Sequence, residues 1–142
     1  MTALAADRAD LRQREGTIRP FKVVGGDIIY KGAVVAADAN GYLVPIGDTA
    51  ALTHAQGIST EQYDNSGGSS GDLTARVQSG ISVNLKCSGA TQAWVGRTVC
   101  AVDDQTVALP ATNTNDRNVG VVQELVSASE VIVFIPLGGY GG

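Results

Sequence analysis

Few residues in this chain have side chains suited to chemistry, and their spacing brings none of them together. The chain has one histidine, His54, in the stretch GDTAALTHAQG. A serine-histidine-aspartate site would need it as the general base, but its neighbours read as a surface loop. Asp103 and Asp104 are adjacent. Adjacent side chains on a strand point to opposite faces, and paired aspartates are common turn residues, so these two read as a turn. Cys87 and Cys100 fit no metal-ligand spacing, and there is no CxxC. They read as two reduced, partly buried thiols, with a disulfide left open. There is no GxxxxGK[ST] phosphate loop, no GxSxG elbow and no oxygen-ligand run of the EF-hand kind. The expectation is a protein that binds rather than reacts, with no catalytic residues, no metal and no cofactor.

Charge narrows the choice of partner. The net charge is -4 over 142 residues, but residues 1–22 hold Arg8, Arg12, Arg14, Arg19 and Lys22 against Asp7, Asp10 and Glu15. A basic arm on an acidic body suits docking on an acidic protein surface. Nucleic-acid binding needs clustered Lys and Arg, interleaved with aromatics where single strands are held, and here the aromatics are dispersed. Trp94 beside Arg97 reads either as an interface anchor or as core. The N-terminus lacks the apolar core of a signal peptide, and the run near Val131 to Ile135 is too short to cross a membrane.

The elements that would carry these residues are almost all strands. Valine, isoleucine and alanine dominate the apolar set, and the 18 glycines imply many turns. Residues 1–16, MTALAADRADLRQREG, alone have helical composition and are expected to be a flexible or short-helical basic arm. One β domain is expected over 17–137, followed by a loose Gly-rich tail, 138–142. TIRPFKVV reads as an extended segment, with Pro20 fitting an edge strand. Asn40-Gly41 marks a hairpin in AADANGYLVP. In LTARVQSGISVNLKC, Leu73, Ala75 and Val77, then Ile81, Val83, Leu85 and Cys87, alternate with polar residues. That period of two predicts two half-buried strands, read as a hairpin across Ser79-Gly80. DNSGGSSGD, residues 64–72, reads as a flexible loop. Four later strands are expected, GRTVCAV, QTVALP, NVGVVQELV and EVIVFIPL. The last is apolar on both faces, which suits a central or interface strand. A weak internal echo sets Val34, Ala36, Asp38 and Pro45 opposite Val99, Ala101, Asp103 and Pro110, and Gly57 and Gly120 follow their blocks in similar apolar strands. The predicted class is all-β, a small β-barrel, β-tulip-like body or sandwich with an extended N-terminal arm.

YKGAVVAADANGYLVP, then AQGIS, then ARVQSGISVNL, resembles the small decoration, or cement, proteins of tailed-bacteriophage heads. In that family a kG-x-V…d-G-x…P hairpin precedes a Gly-containing apolar strand and a v-x-v-x-G-x-x-v hairpin. The similarity covers roughly residues 17–137. The arm is longer and more basic than the family's, and DNSGGSSGD looks like an insertion. The resemblance implies a commonly trimeric protein at three-fold positions on the outside of the expanded head. There it would clamp neighbouring major capsid subunits against DNA pressure, without touching nucleic acid, membrane or a small-molecule substrate. Such a protein is made in the bacterial cytoplasm and ends on the outer capsid surface of the virion. The capsid-binding residues expected here are Arg8, Arg12, Arg14, Arg19, Phe21 and Lys22. TIRPFKVV would add a strand to a capsid edge, and removing residues 1–19 would leave the body folded. Another virion part, a head fibre or tail accessory domain, or a binding module of a host complex is the alternative.

Overall fold

The computed structural model describes residues 17–138. The expected arm and tail, apart from Gly138, lie outside these residues. The described chain is all-β. Its strands are β1 (Ile18–Lys22), β2 (Ile28–Ile29), β3 (Val34–Ala37), β4 (Leu43–Pro45), β5 (Gly57–Ser59), β6 (Tyr63–Asp64), β7 (Thr74–Gln78), β8 (Ile81–Lys86), β9 (Thr98–Ala101), β10 (Val107–Ala108), β11 (Asn118–Ser127) and β12 (Glu130–Ile135). One turn of 3-10 helix, Gln92–Trp94, precedes β9. The strands form two five-stranded sheets, ordered β1-β7-β5-β3-β4 and β10-β9-β11-β12-β8, and β2 pairs with β6.

The two large sheets are copies of one design. Each begins with an edge strand, makes a hairpin, and then returns through a strand that starts at or contains a glycine. Gly57 lies against the Gln78 carbonyl and the Val77 side chain, and Gly120 lies against the Phe134 carbonyl and the Val133 side chain. Val77 therefore answers to Val133, and their partners Arg19 and Val83 answer to each other. The sheets also curl alike. Val23 bridges to Leu43, and Lys86 bridges to Thr106, so each first strand touches the hairpin at the far edge. The result is a pair of small, partly closed barrels.

The echo in the sequence is thus real in topology but slips by one residue. Ala37 opposite Leu43 answers to Ala101 opposite Val107, so Val99 matches Val35 rather than Val34. Side-chain packing agrees. Val35, Leu43, Ala75 and Val77 fill the first barrel with Val23, Ile29 and Ala33. Val99, Ala101, Val107, Val131 and Val133 fill the second. Val34, Ala36, Ile46 and Ala55 project from the first sheet onto that second core, which joins the halves. Burying Val34 and Ile46 is worth about 1.5–3 kcal/mol each, so the joint adds to the second core.

Several expectations hold. Pro20 sits on edge strand β1, the Asn40-Gly41 turn joins β3 to β4, and β12 is central. Three others are corrected. The Ser79-Gly80 turn does not close a hairpin. β7 pairs with β1 and β5 while β8 pairs with β12, so the turn carries the chain from one sheet to the other. Ser79 N–H donates to Thr17 C=O and Gly80 N–H to Ile135 C=O, so each arm is claimed by a distant strand. TIRPFKVV is not free to leave the body, because β1 is bonded along β7. A cut after residue 19 would remove part of β1.

The loop 64–72 is also firmly tied. Asn65, only 3% exposed, donates its side-chain amide to the carbonyls of Val23, Val24 and Ser69. Asp72 accepts from Ser69 N–H, and Ser70 Oγ accepts from Gly25 N–H.

Candidate interaction surface

Strand alternation divides the expected binding residues on β1. Arg19 and Phe21 sit opposite the buried Val77 and Ala75, so their side chains turn toward the barrel. The Arg19 guanidinium lies 5.0 Å over the Phe21 ring, and its Nη2 donates to the Gln56 carbonyl at 3.1 Å and to Gln56 Oε1 at 3.2 Å. Its Nε finds no partner, and burial lowers its pKa. Arg19 is therefore tied to Gln56 and Phe21, and Phe21 packs on the first core. Lys22 is exposed. Arg8, Arg12 and Arg14 lie outside the described residues. Trp94 is 8% exposed and packs in the second core, so its ring is core. Arg97 beside it is exposed.

A polar cluster that sequence reading missed lies where the two halves meet. Asp48 accepts from the N–H groups of Thr114 and Asn115, and these bonds hold its carboxyl below the usual range. Asp116 accepts from Ala111 N–H, fixing the same loop. His54 Nδ1 accepts from Asn118 N–H at 2.9 Å, while Ala55 N–H donates to Asn118 C=O. His54 is thus a loop staple between the sheets. The only signal for this in the sequence was polar density: GDTAALTH and TNTNDRN carry no periodicity to show that they meet. The Cys100 thiol lies 3.3 Å from Asn118 Oδ1, and burial followed by Asp116 and Asp48 pushes its pKa up to about 11. Burial and then Glu130 push Cys87 up as well. Both cysteines are free thiols. Raised values keep them protonated at neutral pH, where a thiol is a poor nucleophile.

His54 makes folding pH-sensitive. Burial, and then the charge of Arg117, lower its pKa from the ordinary 6.5. The unfolded chain then binds the proton more tightly than the folded one. Stability is whole above about pH 6.5 and declines as pH falls below it. Asp48 behaves differently: its contribution is lost only as pH falls below the ordinary 3.8, so the two effects separate. Thermal unfolding should show a lower midpoint at pH 5 than at pH 7. His54→Gln should flatten that difference. An equal drop in the variant would remove His54 as its source.

A cleft of about 250 Å³ also crosses the seam, lined by Tyr30, Lys31, Gly32 and Ala33 from one half and Asp104 and Gln105 from the other. Burial and the neighbouring Asp103 raise the Asp104 carboxyl pKa. The main chain of Asp104 holds the seam, its carbonyl accepting from Val34 N–H. Asp103 does take the turn role expected of it, accepting from Gln105 N–H as Asp38 accepts from Asn40 N–H.

Among the described residues no group of three or more His, Cys, Asp or Glu could hold a metal ion, and no helix is long and apolar enough to cross a membrane. Comparison with family models, curated proteins and solved structures finds no match to the chain.

Proposed function

We propose that this protein is a structural binding module, a decoration protein that clamps neighbouring major capsid subunits on the outside of an expanded phage head. The observation that carries the reading is the architecture of the body. Two copies of a curled sheet share one apolar joint, and His54 and Asp48 between them hold loops. A block with one continuous joint suits bearing load, and the reading rests with it on the resemblance in the YKGAVVAADANGYLVP hairpin, which forms as β3 and β4.

Thr17, whose carbonyl accepts from Ser79 N–H, directly follows in sequence the segment that carries Arg8, Arg12 and Arg14. These arginines, with exposed Lys22, would pair with capsid carboxylates. An exposed pair is worth only about 0–1 kcal/mol. An assembly of several copies would repeat the set, and linked sites raise affinity by about 10²–10⁴.

The test uses expanded, DNA-free heads that lack the protein. The full chain should co-pellet with them to saturation at the three-fold positions and should ignore unexpanded heads. A chain starting at Thr17 should lose binding and keep the thermal unfolding of the full chain. Full occupancy by the shortened chain would overturn the role of the arm. No co-pelleting of the full chain with expanded heads would overturn the reading and favour a fibre, tail or host module.

A further inference from the structure

The sheets are copies, but their first strands end differently at the outer edge. In β1, Thr17 C=O accepts from Ser79 and Val23 N–H donates to Leu73, so odd-numbered residues bond inward to the neighbouring strand. Even-numbered residues then point their backbone groups outward, because successive residues of a strand alternate. Pro20 is one of these, and its missing N–H interrupts the edge.

In β8, Lys86 N–H bonds outward to Gln105 C=O and Cys87 N–H bonds back to Ser129. Here too the even-numbered residues face out. Since Arg19 answers to Val83, Pro20 answers to Asn84. Ser82 and Asn84 therefore present complete outward N–H and C=O groups, and among the described residues no strand pairs with them.

Open edges are usually blunted by proline, charge or bulges. β1 has Pro20. The far half of β11 has register shifts between Val122 and Glu124 and between Leu125 and Ser127. The open stretch of β8 has none of these: Ser82, Val83 and Asn84 are uncharged, and the strand is regular against β12. Beside Ser82 and Asn84 on the same face lie Phe134 and Ile132, apolar and only half buried.

We propose that this edge is an interface for a second copy of the chain, the two β8 strands pairing antiparallel about Val83. The stretch is its own complement. It is bounded by the Gly80 turn at one end and by the Lys86–Gln105 bond at the other. About a two-fold axis at Val83, Ser82 of each copy exchanges N–H···O bonds with Asn84 of the other, which uses every outward group in the window. No charged side chain meets its own copy across the axis. The inference stands apart from the capsid reading, since it uses only the geometry of the edge.

The test is the mass of the full chain by sedimentation equilibrium across a concentration series. The wild type should move from 14.6 kDa to twice that value. Asn84→Pro should remain at 14.6 kDa at every concentration, with an unchanged far-UV spectrum, because the matching position in β1 already carries proline. Val83→Cys should form a disulfide dimer on mild oxidation. Its Cα would face its own copy at about 4.5 Å in a non-hydrogen-bonded pair, within reach of a disulfide. A wild type that stays monomeric, an Asn84→Pro protein that still doubles, or a Val83→Cys protein that fails to cross-link would each overturn the pairing. A wild-type trimer would overturn it as well.

Discussion

Gly120→Ala should lower stability by roughly 3 kcal/mol or more, or prevent cooperative folding altogether. A Cβ at this position would be driven into the Phe134 carbonyl and to 2.8 Å from Val133 Cγ1. The first contact is with the backbone of a central strand, so no side-chain rotation relieves it. To make room, β11 and β12 would have to separate, and they pair from Val121↔Phe134 to Ser127↔Glu130. Gly57→Ala should behave alike, with two causes. Its Cβ would strike the Gln78 carbonyl, and its φ of 148° is one that side chains rarely adopt. Gly67→Ala is the control: nothing lies within 4 Å of its Cβ and its φ is not positive. It should shift stability by no more than about 0.5 kcal/mol. Urea unfolding followed by fluorescence of Trp94 reads all three. Near-native midpoints for both Gly57→Ala and Gly120→Ala would mean that β5 and β7, and β11 and β12, do not approach as closely as described.

Asn65→Ala should be the most damaging change in any loop, about 3 kcal/mol. The amide of Asn65 reaches the carbonyls of Val23 at 3.4 Å, Val24 at 3.0 Å and Ser69 at 3.0 Å. Its main chain also bonds, N–H to Asp27 and C=O to Gly26 and Gly68. Truncation strands buried acceptors and opens space in a site already closed to water, and the loss of a satisfied buried amide is costly for both reasons. Asn65→Asp tests the same site differently. A carboxylate cannot donate to three carbonyls, so it should destabilise at least as much at neutral pH. Amide exchange in residues 64–72 should be slow in the wild type and fast in either variant. Fast exchange in the wild type would show that the loop is not held by this side chain.

The resemblance between the two halves was only partly legible. Matching residue types in AVVAADANGYLVP and TVCAVDDQTVALP gave an alignment one residue away from the pairing register. The aspartates explain the slip. Asp38 and Asp103 each accept an N–H two residues on, but Asp38 N–H bonds Tyr42 C=O at 2.8 Å across its turn, whereas across the other Val102 N–H makes the 2.8 Å bond to Thr106 C=O and Asp103 N–H only a longer one at 3.3 Å. Turn chemistry therefore aligned the turns, while packing against Gly57 and Gly120 aligned the strands. The expected binding set on β1 fared similarly. A run of basic residues shows charge but not direction, and alternation sent Arg19 inward onto Gln56 while leaving Lys22 outside.

By itself the sequence determined the all-β class, the positions of most of the longer strands and the buried face of β7 and β8. Alternation in Ala75 and Val77 and in Leu85 and Cys87, the double-sided β12 and the turn residues at Asn40-Gly41 are local properties, set by side-chain period and backbone sterics. Tertiary structure alone decided the partners. Period says which face of a strand is dry, but a strand has two edges, and backbone edges carry no residue-specific label. Whether β7 met β8 or β1, whether 64–72 was loose or pinned, and which outer edge stayed open all depended on groups distant in sequence. Thr17 and Ile135 claim the two sides of the Ser79-Gly80 turn, Asn65 reaches back to Val23, and Pro20 closes an edge that Asn84 leaves open.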